Sequence, residues 1–187
     1  MLAIDEPIET ERLLIRRYVA SDRASLLALF GSADVTRYLA FGPATDDTID
    51  STLERRVARS SIEREGDGIL GAVTLRSTGV LVGEVMLRYL REEERTGELG
   101  WTVHPDHQGQ GYATESARAF MRLGFEGLDL HRITASCDAR NEASVRVMER
   151  LGMRREAYFR EAFLTHGVWS DELVYAILRS ESEAGAR

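Results

Sequence analysis

Glu98-Leu99-Gly100-Trp101-Thr102-Val103-His104-Pro105-Asp106-His107-Gln108-Gly109-Gln110-Gly111-Tyr112-Ala113-Thr114-Glu115 is the stretch that decides the fold. It predicts a strand ending at Val103, which Pro105 prevents from continuing because proline fixes φ and lacks an N–H. Gly109 and Gly111, having no Cβ, let the backbone turn tightly and approach a ligand closely. A helix is predicted from Tyr112, with its unpaired N–H groups directed back into the loop. Those donors and the macrodipole attract anions. Each N–H bond to a charged phosphate oxygen is worth about 1.5–3 kcal/mol, so several together hold a pyrophosphate without a lysine.

Working outward, Ile69–Arg76, Val80–Tyr89 and Glu98–Val103 predict three strands. Ser77-Thr78-Gly79 and Arg91–Gly97 are the turns between them, which makes an antiparallel meander. Beyond the loop, a helix is predicted over Tyr112–Glu126, a strand over Arg132–Cys137 and a helix over Glu142–Leu151 that stops at Gly152. Met153–Phe163 and Val168–Leu178 read as a hairpin across Thr165-His166-Gly167, and the tail after Arg179 reads as frayed. Upstream, Leu13–Val19 reads as a strand, and Ser21 and Asp22 cap a short helix carrying Leu26, Leu27 and Phe30. A longer helix starts at Thr45 or Asp46, with Ile49, Leu53 and Val57 on its apolar stripe and Glu54, Arg55, Arg56 and Arg59 on the other face. The fold class is α+β, an antiparallel half joined to a β-α-β unit.

A chain of 187 residues with 43% hydrophobic content buries a substantial core, so one domain over 1–187 is expected rather than a disordered or fibrous chain. Cys137, the only cysteine, cannot bridge internally, which favours a reducing compartment. No apolar run approaches the roughly 20 residues of a membrane helix, and the opening MLAIDEPIETE lacks the basic flank of a signal peptide. A cytoplasmic protein without membrane contact is expected. All 24 basic residues are arginine, which excludes a Walker-type phosphate loop, a Schiff-base enzyme and a lysine base. The net charge of −7 argues against nucleic acid as a partner and would suit a cationic substrate.

A dinucleotide fold fits the loop poorly. Its third glycine position is Thr114, and the preceding strands are hairpin-connected, although Asp129 lies about 20 residues beyond Gly109 as that fingerprint requires.

Val103-x-Pro105-x-x-Gln108-Gly109-x-Gly111-x-Ala113 resembles the acetyl-CoA signature of the GNAT superfamily of N-acetyltransferases. Gly100-Trp101-x-Val103-His104-Pro105 with Gly111-Tyr112-Ala113-Thr114-Glu115 resembles its RimJ/RimL branch, which acetylates the N-termini of ribosomal proteins. So do the opening Glu9-Thr10-Glu11-Arg12-Leu13-Leu14-Ile15-Arg16 and the block Asn141-Glu142-Ala143-Ser144-Val145-x-Val147-Met148-Glu149-Arg150-Leu151-Gly152-Met153. The blocks fall in family order across a core of about 9–178. The resemblance implies a mixed, mostly antiparallel sheet flanked by helices and splayed into a V between the strand of Val103 and Arg132–Cys137. Acetyl-CoA would enter that gap, its pantetheine arm pairing with backbone from Trp101 through Thr102 to Val103. Its pyrophosphate would rest on Gln108, Gly109, Gln110, Gly111, Tyr112, Ala113 and Thr114, and Asn141 would bond the pantetheine from the other wall.

Acetylating an amine requires a base for the ammonium proton, and an acid can protonate the departing thiolate. Glu98 is the first candidate base, on the strand where the superfamily often places a glutamate. Glu84 is the second and Glu161 the third. For the acid, many superfamily members carry a tyrosine where this chain has Met148. The RimJ/RimL-like alternative is a serine three residues after the asparagine, matched by Ser144, with Tyr158 and Tyr112 as further candidates. His104 and His107 stand three apart on a proline-containing loop with no completing ligands, so no metal is expected. His131 and His166 read as turn residues, and Trp101 and Trp169 as core or groove residues. The expected function is direct transfer of acetyl from acetyl-CoA to a primary amine, in a ternary complex. The acceptor implied is a protein N-terminal α-amine, and a homodimer is the family expectation. The rivals are a small-molecule amine acetyltransferase on the same scaffold, a non-catalytic acetyl-CoA sensor or interaction module, and a dinucleotide oxidoreductase.

Overall fold

The computed structural model describes residues 1–184. Its frame is an eight-stranded sheet in the order β2-β3-β5-β6-β7-β8-β10-β9. The strands are β2 (Ile8–Glu9), β3 (Leu13–Arg16), β5 (Gly68–Leu75), β6 (Leu81–Arg91), β7 (Thr96–Val103), β8 (Arg132–Asp138), β9 (Arg154–Thr165) and β10 (Val168–Leu178). Two short strands, β1 (Leu2–Ala3) and β4 (Ser61–Ile62), pair separately. The helices are α1 (Arg23–Phe30), α2 (Ala33–Thr36), α3 (Asp46–Ala58), α4 (Tyr112–Gly127), α5 (Glu142–Arg150) and α6 (Arg179–Ala184).

Side chains on successive strand residues point to opposite faces, and here both faces are covered. Ile69, Leu87 and Leu99 join one cluster with Phe120, Met121 and Phe125 of α4. Leu70, Ala72 and Met86 join the other with Leu26, Leu29 and Phe30 of α1 and Ile49 and Leu53 of α3. Burial on both sides is why these strands read as continuous apolar runs rather than alternating ones.

Every neighbouring pair in the sheet is antiparallel except β7 with β8. That parallel ladder has only three rungs, Thr96↔Arg132, Gly97↔Ile133 and Glu98↔Thr134. Beyond Glu98 the two strands part. β7 stays attached to β6 as far as Val103↔Gly83, while β8 is carried away by β10 as far as Asp138↔Glu172. The expected V-shaped opening is this divergence.

Three expectations are corrected. Val57 is 44% exposed rather than on the buried stripe, and Arg56, assigned to the solvated face, is 9% exposed. Arg56 lies over the Phe30 ring at 4.3 Å and pairs with Glu84 from β6, so a cross-element partner overrides the helical pattern. The tail, expected to fray, forms α6, tied by the Leu178 N–H to Glu181 Oε2 at 2.9 Å. The end of that tail lies outside the described residues. Trp169, expected in the core or groove, is 59% exposed on β10.

Candidate active site

The loop before α4 is the expected anion cradle. Gly109 and Gly111 have φ of +74° and +84°, the left-handed region that only glycine enters at little cost. The N–H groups of Gly109 through Thr114 have no hydrogen-bond partner among the described residues, and the series closes at Glu115, whose N–H bonds the Gly111 carbonyl at 3.0 Å. Gln108 departs from expectation. Its N–H is already bonded to the Pro105 carbonyl at 3.2 Å and its Nε2 to the Val103 carbonyl at 3.1 Å, so it shapes the loop instead of offering a main-chain donor.

The amino-terminal segment braces this loop from outside. The Glu115 carboxylate accepts from the Thr10 hydroxyl at 2.6 Å, the Arg12 N–H at 2.9 Å and Arg12 Nε at 2.8 Å. Burial alone would raise the Glu115 pKa, but these donors outweigh it and hold the carboxyl below its ordinary value. Arg12 also donates from Nη1 to the Gln110 carbonyl at 2.9 Å and lies over the Tyr112 ring at 4.9 Å. In a trans peptide the C=O and the following N–H point opposite ways. Anchoring the Gln110 carbonyl to Arg12 therefore turns the Gly111 N–H inward.

The gap between β7 and β8 is the second part. The His104 N–H bonds the Val82 carbonyl on β6 at 2.9 Å. Alternation along an antiparallel ladder then turns the N–H and C=O of Leu99, Trp101 and Val103 away from β6 and toward the gap. The Leu99 N–H closes the last parallel rung on β8 and Val103's carbonyl is taken by Gln108, which leaves the Leu99 carbonyl and both main-chain groups of Trp101 as open edge. On the far wall Asn141 caps α5, its Oδ1 accepting from the Ser144 N–H at 3.1 Å. The capping is done by Asn141, so the Ser144 hydroxyl has no partner among the described residues and lines the cleft.

That cleft, about 680 Å³, is lined by residues of β6, β7, β8, α3 and the segment before it, including Trp101, Thr102, Asn141 and Ser144. Two carboxylates line it. Glu84 is clamped by Arg56, with Nε to Oε2 at 2.5 Å and Nη2 to Oε1 at 3.3 Å. Asp138, with a fully buried side chain, takes bonds from Arg140 Nε at 2.9 Å and Nη2 at 2.6 Å; the guanidinium first, then the Arg140 N–H and Ser170, hold its pKa down against burial. Tyr18 is buried, and its ionisation is pushed well above the ordinary range first by burial and next by the Glu84 carboxylate. Cys137 also lines the cleft, and burial foremost, then Asp138 and Glu172, raise its thiol to about 11. At pH 7 only about one thiol in 10⁴ would be thiolate, the form that attacks carbonyls.

Glu98 is not among the residues that line the cleft. It shares a sheet face with Glu84 but sits two rungs below Gly100, where Arg88 Nη1 meets its Oε2 at 3.1 Å. Glu161 and Tyr158 stand on the exposed strand β9, bonded to Asp171 through the Glu161 N–H and the Tyr158 hydroxyl. His104 bonds within its own loop and His166 reaches the Thr36 carbonyl at 3.1 Å. Among the described residues no three His, Cys, Asp or Glu side chains stand close enough to hold a metal ion. Arg56 and Cys137 were missed as site residues. Their signal was weak: an arginine out of step with its helix, and a cysteine one position before a buried aspartate.

A glycine turn with unpaired N–H groups, joined to an open-edged gap with a polar cleft behind it, is an arrangement suited to an extended, phosphorylated chain. A family model described as an acetyltransferase (GNAT) domain matches residues 12–154. The uncharacterized N-acetyltransferase YnaD of Bacillus subtilis (strain 168) is 34% identical over 175 residues, 93% of this chain and 98% of that one. The crystal structure of a GNAT-family acetyltransferase from Bacillus anthracis superposes with a TM-score of 0.84 at 34% identity, covering 94% of this chain and all of the other. A spermidine N-acetyltransferase from Vibrio cholerae, solved with CoA and spermine, shares the fold at a TM-score of 0.77 and 21% identity, over 93% and 99% of the two chains. The chain belongs to the GNAT acetyltransferase family and is an N-acetyltransferase.

Proposed function

We propose that the enzyme transfers acetyl from acetyl-CoA directly to the α-amine at a protein N-terminus. The observation that carries this reading is the coincidence of the unpaired N–H run Gly109–Thr114 with a β7 edge left open beyond Glu98. The N–H run supplies donors for a pyrophosphate, and the open edge from the Leu99 carbonyl through Trp101 supplies main-chain partners for an amide-bearing arm. Asn141 keeps its side-chain NH₂ free for that arm while its Oδ1 caps α5. Acetyl-CoA, so held, supplies an activated carbonyl at the cleft.

Glu84 is the carboxylate we assign to the ammonium proton, in place of Glu98, because Glu84 borders the cleft and Glu98 is turned to Arg88. Once neutral, the nitrogen attacks the carbonyl carbon and the C–S bond breaks; the Ser144 hydroxyl donates to the departing thiolate, and the proton shed by the newly acylated nitrogen restores that hydroxyl. An α-amine, with a pKa near 8, is already about one-tenth neutral at pH 7, which a lysine side chain is not. The high thiol pKa of Cys137 supports a single direct transfer over an acylated enzyme.

The test is free-thiol release with acetyl-CoA and short peptides carrying either a free or a blocked α-amine. Turnover only with the free α-amine is expected, and turnover confined to spermidine would defeat the acceptor assignment. Ser144→Ala should lower kcat by about 10² or more with little change in KM, the range expected for a lost proton donor.

A further inference from the structure

The acceptor end of the cleft carries more positive charge than an amine substrate alone would call for, in a chain whose net charge is −7. Three arginines line it, Arg55 and Arg56 of α3 and Arg59, the residue that caps its C-terminus, against two carboxylates, Glu84 and Asp138. Both carboxylates are held by guanidinium groups, Glu84 by Arg56 and Asp138 by Arg140. The arginines are not equally engaged. Arg55 has only the Thr52 hydroxyl, at 3.0 Å, and the Arg59 side chain has no hydrogen-bond or ionic partner among the described residues. Arg55 in the last turn of α3 and Arg59 at its C-cap both line this same cleft.

From this we infer that the acceptor carries carboxylates beside its reactive amine. Resting on the α-amine reading above, the geometry points to a peptide N-terminus with acidic residues directly after the first. Glu84 is the only cleft carboxylate with any side-chain exposure, 11% against 0% for Asp138, and it is committed to the reacting nitrogen. A polyamine bound there would set its second ammonium against Arg55 and Arg59 with no carboxylate left to receive it. An acidic peptide meets the same two arginines with complementary charge.

The experiment compares Ser-Glu-Glu, Ser-Gln-Gln and Ser-Arg-Arg peptides of equal length, with free glutamate and spermidine as further acceptors, by thiol release. The acidic peptide should exceed the neutral one about tenfold in kcat/KM and the basic one by more, with the advantage shrinking as salt screens these exposed charges. Free glutamate outrunning the acidic peptide would keep the carboxylate and move it to an amino acid. Arg55→Gln with Arg59→Gln should erase the acidic advantage through KM rather than kcat, because the contact forms equally in ground and transition states. Arg59→Glu should shift the preference toward Ser-Arg-Arg, a gain that a misfolded variant cannot produce. Equal kcat/KM for the three peptides, or a wild-type preference for Ser-Arg-Arg or spermidine, would overturn the inference while leaving acetyl transfer to amines intact. No thiol release with any acceptor would overturn both.

Discussion

Replacing Gly111 with valine tests the cradle most directly. Gly111 has a φ of +84°, and a Cβ there would come within 3.3 Å of Arg12 Nη2, the guanidinium that anchors the loop. A left-handed conformation costs an L-residue about 1–2 kcal/mol, and more when the side chain is β-branched. At about 2–4 °C per kcal/mol for a chain of this size, the variant itself should melt several degrees lower. The effect on ligand is larger. If relaxation of the loop removes two N–H bonds to phosphate, at about 1.5–3 kcal/mol each, affinity falls by about 10²–10⁴. Wild type at acetyl-CoA of 100 times its Kd gains about 2.7 kcal/mol, or about 5–11 °C. A variant weakened 100-fold gains only about 0.4 kcal/mol at the same concentration, or about 1 °C. Gly79→Val is the control. Gly79 has a φ of +72° at the turn between β5 and β6, and an added Cβ there meets nothing within 4 Å, so it carries similar strain without touching the loop. It should melt lower yet keep the full ligand shift. A Gly111→Val protein that retains the wild-type shift would show that the loop does not hold the nucleotide.

The carboxylate assignment is settled by a pair of substitutions. Glu84→Gln should cut kcat by about 10² or more and change the pH–rate profile, whereas Glu98→Gln should leave that profile unaltered; the reverse result returns the role to Glu98. Because Glu84→Gln also leaves Arg56 buried without its counter-charge, at a cost of about 3–5 kcal/mol, its melting curve must be recorded alongside. Cys137→Ser should keep turnover and intersecting double-reciprocal kinetics, and thiol labelling of the wild type should stay slow until pH approaches 11; parallel kinetic lines would argue for an acyl-cysteine. The folded-state pKa of Glu115 lies below its unfolded value near 4.3, so its bonds to Thr10 and Arg12 contribute fully above that value and are lost as pH falls through the lowered one. Glu115→Gln should therefore flatten the acid side of the melting temperature–pH curve, and an unchanged acid limb would show that the brace adds nothing.

The amino-acid sequence alone was enough for the strand–loop–helix and its glycine turn, whereas the Asn141 cap emerged only in the structure. The strand, turn and helix are written in residues a few positions apart, where glycine and proline act on their own backbone. Hairpins were legible for the same reason, although the β1–β4 pair and α2 were too short to register. The contents of the cleft were a different matter. Arg56 and Glu84 are 28 positions apart, and Cys137 reaches the cavity only because β10 draws β8 away from β7. Glu98 on β7 shares a sheet face with Glu84 on the neighbouring β6, but alternation cannot say how far along the strand the gap opens. That depends on where the third parallel rung ends, a balance of pairings between distant segments. Local chemistry made the anion cradle readable from the chain; which carboxylate, thiol and arginines meet before it was decided only when the sheet assembled, because burial and charge pairing are properties of neighbours in space.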